Sequence, residues 1–447
     1  MRIKQLLLAI VLMAAGFAGQ AQQAGPAQET RALSLREAID LSISNSHELK
    51  NSAAKIDEAT AALKEAVQNK LPGATASGSY LRLNSANVDI KARNDNNGGT
   101  PSEPSSMPKV SQAMYGLVNM SLPIYAGGKI RYGIESSRYL AEASKLDAEF
   151  QKEEVIQNTI EAYINLYKSR SAVELVKENL AQSEQRVKDF RNLEKNGLLA
   201  RNELLKAELQ SSNTELTLLD VQNNWELANV NMNLMLGLPT GTILVTDSSI
   251  TEAPANVMAL EEYVQSALKG RKDISSLSLQ RKATETGVKI AKADKYPSLA
   301  LTGGYVAAYV PKVLTITNAV NVGVGVKYDI ASLWKSKAKI NQAEARSRQI
   351  IQTEAIVSDK VVLEVNQRYL NLMSSRKKID VYSKAVEQAE ENYRITKNKY
   401  DNSLATTTDL LDADVAQLQA KLNYVFAKAD AVVAYDKLLQ TAGLPVQ

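Results

Sequence analysis

The chain has 447 residues, no cysteine and a single histidine. Without cysteine there can be no disulfide, thiolate metal site, cysteine nucleophile or lipid attached to an N-terminal cysteine. Zinc would find no histidine pair, and any Ser-His-Asp triad would have to use His47. That residue lies between Ser46 and Glu48 in a polar stretch, which predicts a surface position. Beyond the N-terminus no apolar run approaches the ~18 residues of a membrane helix. If the mature chain crosses a bilayer, it must do so as a β-barrel. Charge of one sign is also lacking: 53 basic residues face 49 acidic ones, for a net charge of +4. The two signs alternate along the helical segments, so a nucleic-acid partner is not expected.

The first residues read as a processing segment. Arg2 and Lys4 form a positive start, Leu6 to Ala15 is apolar, and small residues flank a cut after Ala21. This layout predicts a secretory signal peptide over 1–21, followed by a linker over 22–33.

The remainder of the chain carries one unit twice. IEAYINLYKSR (160–170) matches NQRYLNLMSSR (366–376), with Tyr163 on Tyr369, Asn165 on Asn371 and Arg170 on Arg376. The same spacing places Glu203-Leu204-Leu205 on Asp409-Leu410-Leu411, and Gly237-Leu238-Pro239 on Gly443-Leu444-Pro445. Upstream, LPGATASGSY (71–80) matches YPSLALTGGY (296–305) at a wider spacing, so the first copy carries an insertion between Pro72 and Pro123. The insertion includes NDNNGGTPSEPSSMP (94–108), a composition that predicts a polar surface loop. Repeat one covers 34–239, a linker 240–257, and repeat two 258–447. Each copy opens with helices (about 34–70 and 258–294) and continues with a strand pair. The strands are expected near 73–83 and 110–124, then near 298–310 and 318–330. A long helical hairpin closes each copy (128–237 and 332–442), and Gly-Leu-Pro supplies its C-cap and breaker.

The strands have two unlike faces. In AVNVGVGVKYD (319–329), Val320, Val322, Val324, Val326 and Tyr328 alternate with Asn321, Gly323, Gly325 and Lys327. Met114, Gly116, Val118, Met120 and Leu122 form the matching stripe of the first copy, and Leu299, Leu301, Tyr305 and Tyr309 another. A soluble sheet packed on helices would alternate in the same way. The small Gly-rich polar face, the aromatics near strand ends and the export signal favour a membrane barrel. Four strands per chain cannot close, because open edges in lipid leave backbone groups unpaired. The chain is therefore expected to oligomerise, as a dimer of about 8 strands or a trimer of about 12.

The long helices would span about 100 Å at 1.5 Å per residue. Val176, Leu180, Ser183, Val187 and Phe190 follow coiled-coil spacing, as do Leu218, Val221, Trp225, Ala228, Met232 and Met235. A plain coiled-coil spacer would show such seams too, but would have no use for the inserted strands.

In this order the pieces resemble the TolC family of outer-membrane efflux proteins, over nearly all of the mature length. The resemblance is carried by YPSLALTGGY, LPIYAGGK (122–129), NGLLARNELLKAE and NSLATTTDLLDAD at the hairpin turns, and the closing Gly-Leu-Pro of each copy. It implies a mainly α fold: a homotrimer with a twelve-stranded barrel in the outer membrane and a long α-helical barrel in the periplasm. It implies partners too, a periplasmic adaptor and an inner-membrane transporter, with outer-membrane lipid around the strands. It implies a passive conduit for drugs, metals or proteins, in a tripartite efflux or type I secretion system. No enzyme activity, cofactor or metal is expected. Asp409 and Asp412 resemble the paired aspartates that ring the periplasmic entrance, where like charges would raise some pKa values. The same residues also suit the first turn of a helix after Thr406. Tyr400, with Asn202 and Glu203, aligns with the family's closing network. The arginine of that network falls on Ala405, and Arg201 is the nearest replacement. The turns, Asn196, Gly197, Leu198 and Leu199 in one copy and Asn402, Ser403 and Leu404 in the other, match the adaptor-contacting tips. Two other classes compete: an exported coiled-coil adhesin or structural spacer, and an exported hydrolase, for which no spaced carboxylate pair stands out.

Overall fold

The computed structural model describes residues 30–86, 110–247, 257–311 and 314–445. The signal peptide at 1–21 and the loop at 94–108 lie outside the described residues. Eight helices and six strands are described, in the order β1 (Thr30–Leu33), α1 (Leu35–Asn45), α2 (His47–Gln68), β2 (Gly73–Ala86), β3 (Val110–Ala126), α3 (Lys129–Lys195), α4 (Arg201–Leu236), β4 (Ile243–Thr246), α5 (Leu260–Gly270), α6 (Lys272–Ala293), β5 (Ser298–Val310), β6 (Leu314–Lys327), α7 (Ser332–Asp401) and α8 (Thr407–Thr441). No described helix is long and apolar enough to cross a membrane. His47 is exposed, as its polar neighbours predict.

The chain divides into two compact units. One contains the described residues of Met1–Ser52, Ala148–Lys272 and Ser358–Gln447, and the other contains Ala53–Asp147 and Asp273–Val357.

In the second unit the four long strands make one antiparallel sheet in the order β2-β3-β5-β6. The strand pairs of the two repeats thus meet at β3 and β5. The register sets Val118 opposite Tyr305 and Tyr305 opposite Val320, then Leu122 opposite Leu301 and Leu301 opposite Val324. Directly opposed residues share a face, so the three apolar stripes read from the sequence become one apolar face. Its Val320, Val322, Val324, Val326, Met120 and Tyr305 are all exposed in the single chain. The other face carries Asn119, Gly304, Asn321 and Gly323. On it, a Cβ at Gly304 would lie 2.7 Å from the Val118 carbonyl, so that position admits only glycine without a shift. Strand β6 starts and ends earlier than 318–330. Asn318, at φ 59°, sits where the pairing shifts between Val306 and Ala308, and Tyr328 falls past the strand end. Among the described residues, β2 and β6 each have one unpaired edge.

The first unit holds the helical core. Leu33, Ile160, Tyr163, Ile164, Leu166, Met232, Leu236 and Leu244 pack in one cluster. The coiled-coil positions follow the predicted seams: Val176, Ser183, Phe190, Ala228 and Met232 are buried. The initial helices break at Ser46 and Arg271, both with extended ψ, and these two residues are repeat mates. Each hairpin ends as Gly-Leu-Pro predicts. Leu238 N–H donates to the Asn233 carbonyl and Leu444 N–H to the Leu439 carbonyl, both at 2.9 Å, around left-handed Gly237 and Gly443.

The segments expected as linkers are not wholly irregular. Thr30–Leu33 (within 22–33) and Ile243–Thr246 (within 240–257) pair as parallel strands β1 and β4. Four residues are too few to show a period of two, so the sequence pattern passes over them. Distant side chains hold the pair: Asn229 donates to the Thr242 carbonyl at 2.7 Å and accepts from Leu244 N–H at 2.9 Å. The Tyr163 hydroxyl donates to the Leu33 carbonyl at 2.9 Å and accepts from Asp247 N–H at 3.0 Å.

Asp436, buried in α8, has its pKa raised by that burial to about 7. A carboxyl whose folded pKa exceeds its unfolded value favours the folded state fully below the unfolded pKa of about 3.9. That contribution is lost as pH rises through the folded value. Asp436→Asn should therefore flatten the pH profile of stability between about pH 4 and pH 8 and add roughly 2–4 kcal/mol at the alkaline end. Thermal melts across that range check it; an unchanged slope would disprove the assignment.

Candidate functional site

The candidate site lies where the two hairpins turn, in the first unit. Both turns use the same backbone device. Leu198 N–H donates to the Leu193 carbonyl at 2.8 Å and Leu404 N–H to the Lys399 carbonyl at 2.7 Å. The residue at the crossing is left-handed in each, Gly197 at φ 73° and Ser403 at φ 60°. Glycine accepts that conformation freely and serine does so only with strain. Asn196 and Asn402 each donate to the carbonyl four residues back. Leu198 and Leu404 are exposed, whereas Leu199 packs inward.

Below the turns, Phe190, Leu204, Ala207 and Leu410 form a buried cluster, with Val187, Leu199, Tyr393 and Tyr400 against it. The Phe190 and Tyr400 rings stack with centroids 5.6 Å apart. Tyr400 meets neither Asn202 nor Glu203 directly; its hydroxyl lies 3.5 Å from the buried Thr407 hydroxyl. Glu203 Oε1 accepts from Asn202 and from Lys206, both at 3.1 Å. The Thr407 hydroxyl and then Lys206 hold the Glu203 carboxyl below the usual range. Thr407 therefore stands between the residues that the resemblance groups as one network. Arg201 lies 3.8 Å from Glu194 on its own hairpin.

Asp409 and Asp412 start α8, three residues apart on one face. Asp409 completes a capping box: its Oδ2 accepts from Thr406 N–H at 2.9 Å and from the Thr406 hydroxyl at 2.7 Å, while its own N–H donates to that hydroxyl at 3.2 Å. These bonds, the side-chain one first, lower the Asp409 pKa. Within one chain the direction is thus opposite to the expected like-charge effect. Asp412 is exposed.

The third aspartate of DLLDAD does something that its sequence context did not announce. Asp414 is only 2% exposed. Its Oδ2 accepts from Arg186 Nη1 at 3.0 Å, and its Oδ1 from Asn179 Nδ2 at 3.4 Å. Arg186 Nη2 also donates to the Tyr393 hydroxyl at 3.2 Å. Burial opposes the guanidinium charge, but Asp414 outweighs it and raises the Arg186 pKa. This latch ties α3 to α7 and α8, joining the two hairpins. The available signal was spacing: Asp414 falls four residues after Leu410 and three after Leu411, on the buried seam. Its repeat mate Glu208 instead pairs with Arg191 at the surface, at 2.8 Å.

Residues 38–238 and 263–444 match the outer membrane efflux protein family. A nodulation protein T of Rhizobium leguminosarum bv. viciae is 22% identical over 307 residues, which make up 66% of this chain and 62% of that protein. The chain thus spans less than two thirds of that relative's length. Among solved structures, the outer membrane protein VceC of Vibrio cholerae has a TM-score of 0.74 at 19% identity, over 92% of this chain and 97% of that one. The CmeC outer membrane channel of Campylobacter jejuni has a TM-score of 0.76 at 19% identity, over 92% and 85% respectively. The open-state MtrE channel of Neisseria gonorrhoeae has a TM-score of 0.71 at 16% identity, over 92% and 89%. Their fold is the fold of this chain.

The latch makes a direct prediction. Arg186→Met or Asp414→Leu alone should each cost about 3–5 kcal/mol, because each strands a buried charge. The double variant should recover most of that loss. Urea unfolding of the four proteins checks it, and additive losses would show that the pair is not coupled.

Proposed function

The chain belongs to the outer membrane efflux protein family, and from that premise we propose that three copies form one export conduit, opened by a periplasmic adaptor and an inner-membrane pump. One observation carries the reading: the sheet has an exposed apolar face, a polar face and two unpaired edges. In lipid such edges must pair, and the strands of another copy have the matching length and pattern. Three copies would bring twelve strands together, with the valine face toward lipid and the Asn and Gly face toward water.

The helices support the same assembly. Behind the buried seam of α4, Leu205, Leu209, Leu216, Leu227 and Leu234 are exposed. Their spacing of four, seven, eleven and seven residues is that of a coiled-coil stripe. Leu363 and Leu370 on α7 repeat it with a step of seven. A second apolar stripe on helices already packed along one side calls for helices of a neighbouring chain.

At the turns, threefold symmetry would gather three copies of Asp409 and Asp412 near one axis. Six carboxylates there would attract cations and repel anions. The capping box fixes the position of Asp409 and favours its charged form. The exposed Leu198 and Leu404 offer the adaptor two equivalent apolar contacts per chain. Tyr400, Thr407, Asn202 and Glu203 lie beside them, where a closing contact would act. A conduit does no chemistry on its cargo, so selection among drugs, metals or proteins would rest with the pump.

Purified protein in a planar bilayer should give stepwise conductance blocked by divalent and trivalent cations. Asp409→Ala with Asp412→Ala should weaken that block at least tenfold and leave the open conductance in place. A purified oligomer that never conducts would sink the conduit, whereas unchanged block would remove only the ring.

A further inference from the structure

The spacing that sets Tyr163 on Tyr369 and Gly237 on Gly443 relates α3 to α7 and α4 to α8, residue by residue. A surface that is covered on one helix can therefore be followed to its mate. In the first unit α3 lies against α8. Three ion pairs cross this seam: Glu161 with Lys437 at 2.7 Å, Lys168 with Asp430 at 2.6 Å, and Arg186 with Asp414 at 3.0 Å. Between the first two, Ile164 packs in the cluster that holds Ala429 and has Val433 against it.

The mates of both surfaces lie open. On α3, Gln157 and Ile164 are 3% and 2% exposed, whereas their mates on α7, Leu363 and Leu370, are 69% and 65% exposed. On α8, Leu411 is 8% exposed, whereas its mate on α4, Leu205, is 49% exposed. Leu227, the mate of Val433, is exposed as well. Leu363, Gln367, Leu370 and Ser374 are spaced by four, three and four residues, so they share one face of α7. The six ion-pair positions have changed together. Glu161 and Lys437 become Gln367 and Asn231, Lys168 and Asp430 become Ser374 and Asn224, and Arg186 and Asp414 become Asn392 and Glu208. All but Glu208 are exposed in the single chain. Each of these three pairs offers a donor to an acceptor: amide to amide, hydroxyl to amide, amide to carboxylate. None sets like charges against each other.

We propose that α7 of one copy docks on α4 of the next in the register that α3 and α8 keep within a chain. Gln367 then meets Asn231 of the next copy, Ser374 meets its Asn224, and Asn392 meets its Glu208. Leu370 lies beside the next copy's Leu227. The occupant of the α4 stripe is thus a second copy of this chain, which carries the matching face on α7. The contact is head-to-tail, because it joins two different surfaces, and such contacts close into a ring when the rotation allows. This docking rests on the assembly proposed above and gives it a residue register. It also sets the two seams apart: ion pairs flank the one inside each chain, and leucines with neutral side-chain pairs make most of the one between chains.

The chain has no cysteine, so introduced thiols report alone. A Gln367→Cys/Asn231→Cys variant of the full chain, purified in detergent and treated with a short bismaleimide, should run as covalent dimer and trimer on a denaturing gel. A Gln367→Cys/Thr217→Cys variant moves one thiol about 21 Å along α4 at 1.5 Å per residue, and should link at least tenfold less. Charge gives a second readout. Gln367→Lys with Asn231→Lys sets like charges across the seam, and should lower the assembled fraction in native mass spectrometry at least tenfold. Gln367→Glu with Asn231→Lys recreates the Glu161–Lys437 pair and should restore it. Both positions are exposed in the single chain, so the variants should fold, and circular dichroism checks that. If the wild type assembles but the matched thiols leave only monomer, or link no better than the shifted ones, the docking fails and the assembly stands. A Lys/Lys variant that assembles as well as wild type also overturns the docking. A wild type that is monomeric in native mass spectrometry overturns the assembly and the docking with it.

Discussion

Everything in this chain is built around the need to pair backbone groups where water is absent. A four-stranded sheet satisfies its interior strands and leaves two edges open. In water such edges can stay hydrated, but in lipid each unpaired group costs several kcal/mol. The apolar face formed by Val320, Val322, Val324 and their register partners suits lipid, and under the proposed assembly the edges of β2 and β6 would pair with other copies of the chain. The exposed leucines of α4 make the same demand from the helical side.

The helical unit shows how polar groups are placed once the seams are filled. Asn229 and Tyr163 complete the pairing of a two-strand element too short to stand alone. Arg186, Asp414, Asn179 and Tyr393 join the two hairpins below their turns. A buried ion pair adds little net stability over packed apolar groups, but it resists the loss of either partner strongly. The bond between hairpins is therefore narrow in geometry and costly to break.

The two copies of the repeat differ in chemistry at their turns. Gly197 faces Ser403, Glu203 faces Asp409, Lys206 faces Asp412, and surface Glu208 faces buried Asp414. In the first copy Glu203 is neutralised by Lys206 three residues on. In the second the equivalent positions are both acidic, and one is fixed by its capping box. Both the acidic pair at the turn and the buried latch beside it thus reside in the second copy, while the two turns share the same backbone cap.

The sequence by itself determined the repeat, the helical hairpins with their Gly-Leu-Pro ends and the two-faced strands. These come from local periodicity and from single residues with narrow backbone preferences. The hairpin-turn residues were legible as a group for the same reason, because each turn repeats a motif. Only the tertiary structure decided which strands adjoin, that residues 30–33 pair with 243–246, that Thr407 stands between Tyr400 and Glu203, and that Arg201 turns to Glu194. It alone distinguished three aspartates of one short motif as a cap, an exposed charge and a buried latch. Those outcomes depend on which side chain lies across from which, a relation between residues far apart in the chain that periodicity does not encode.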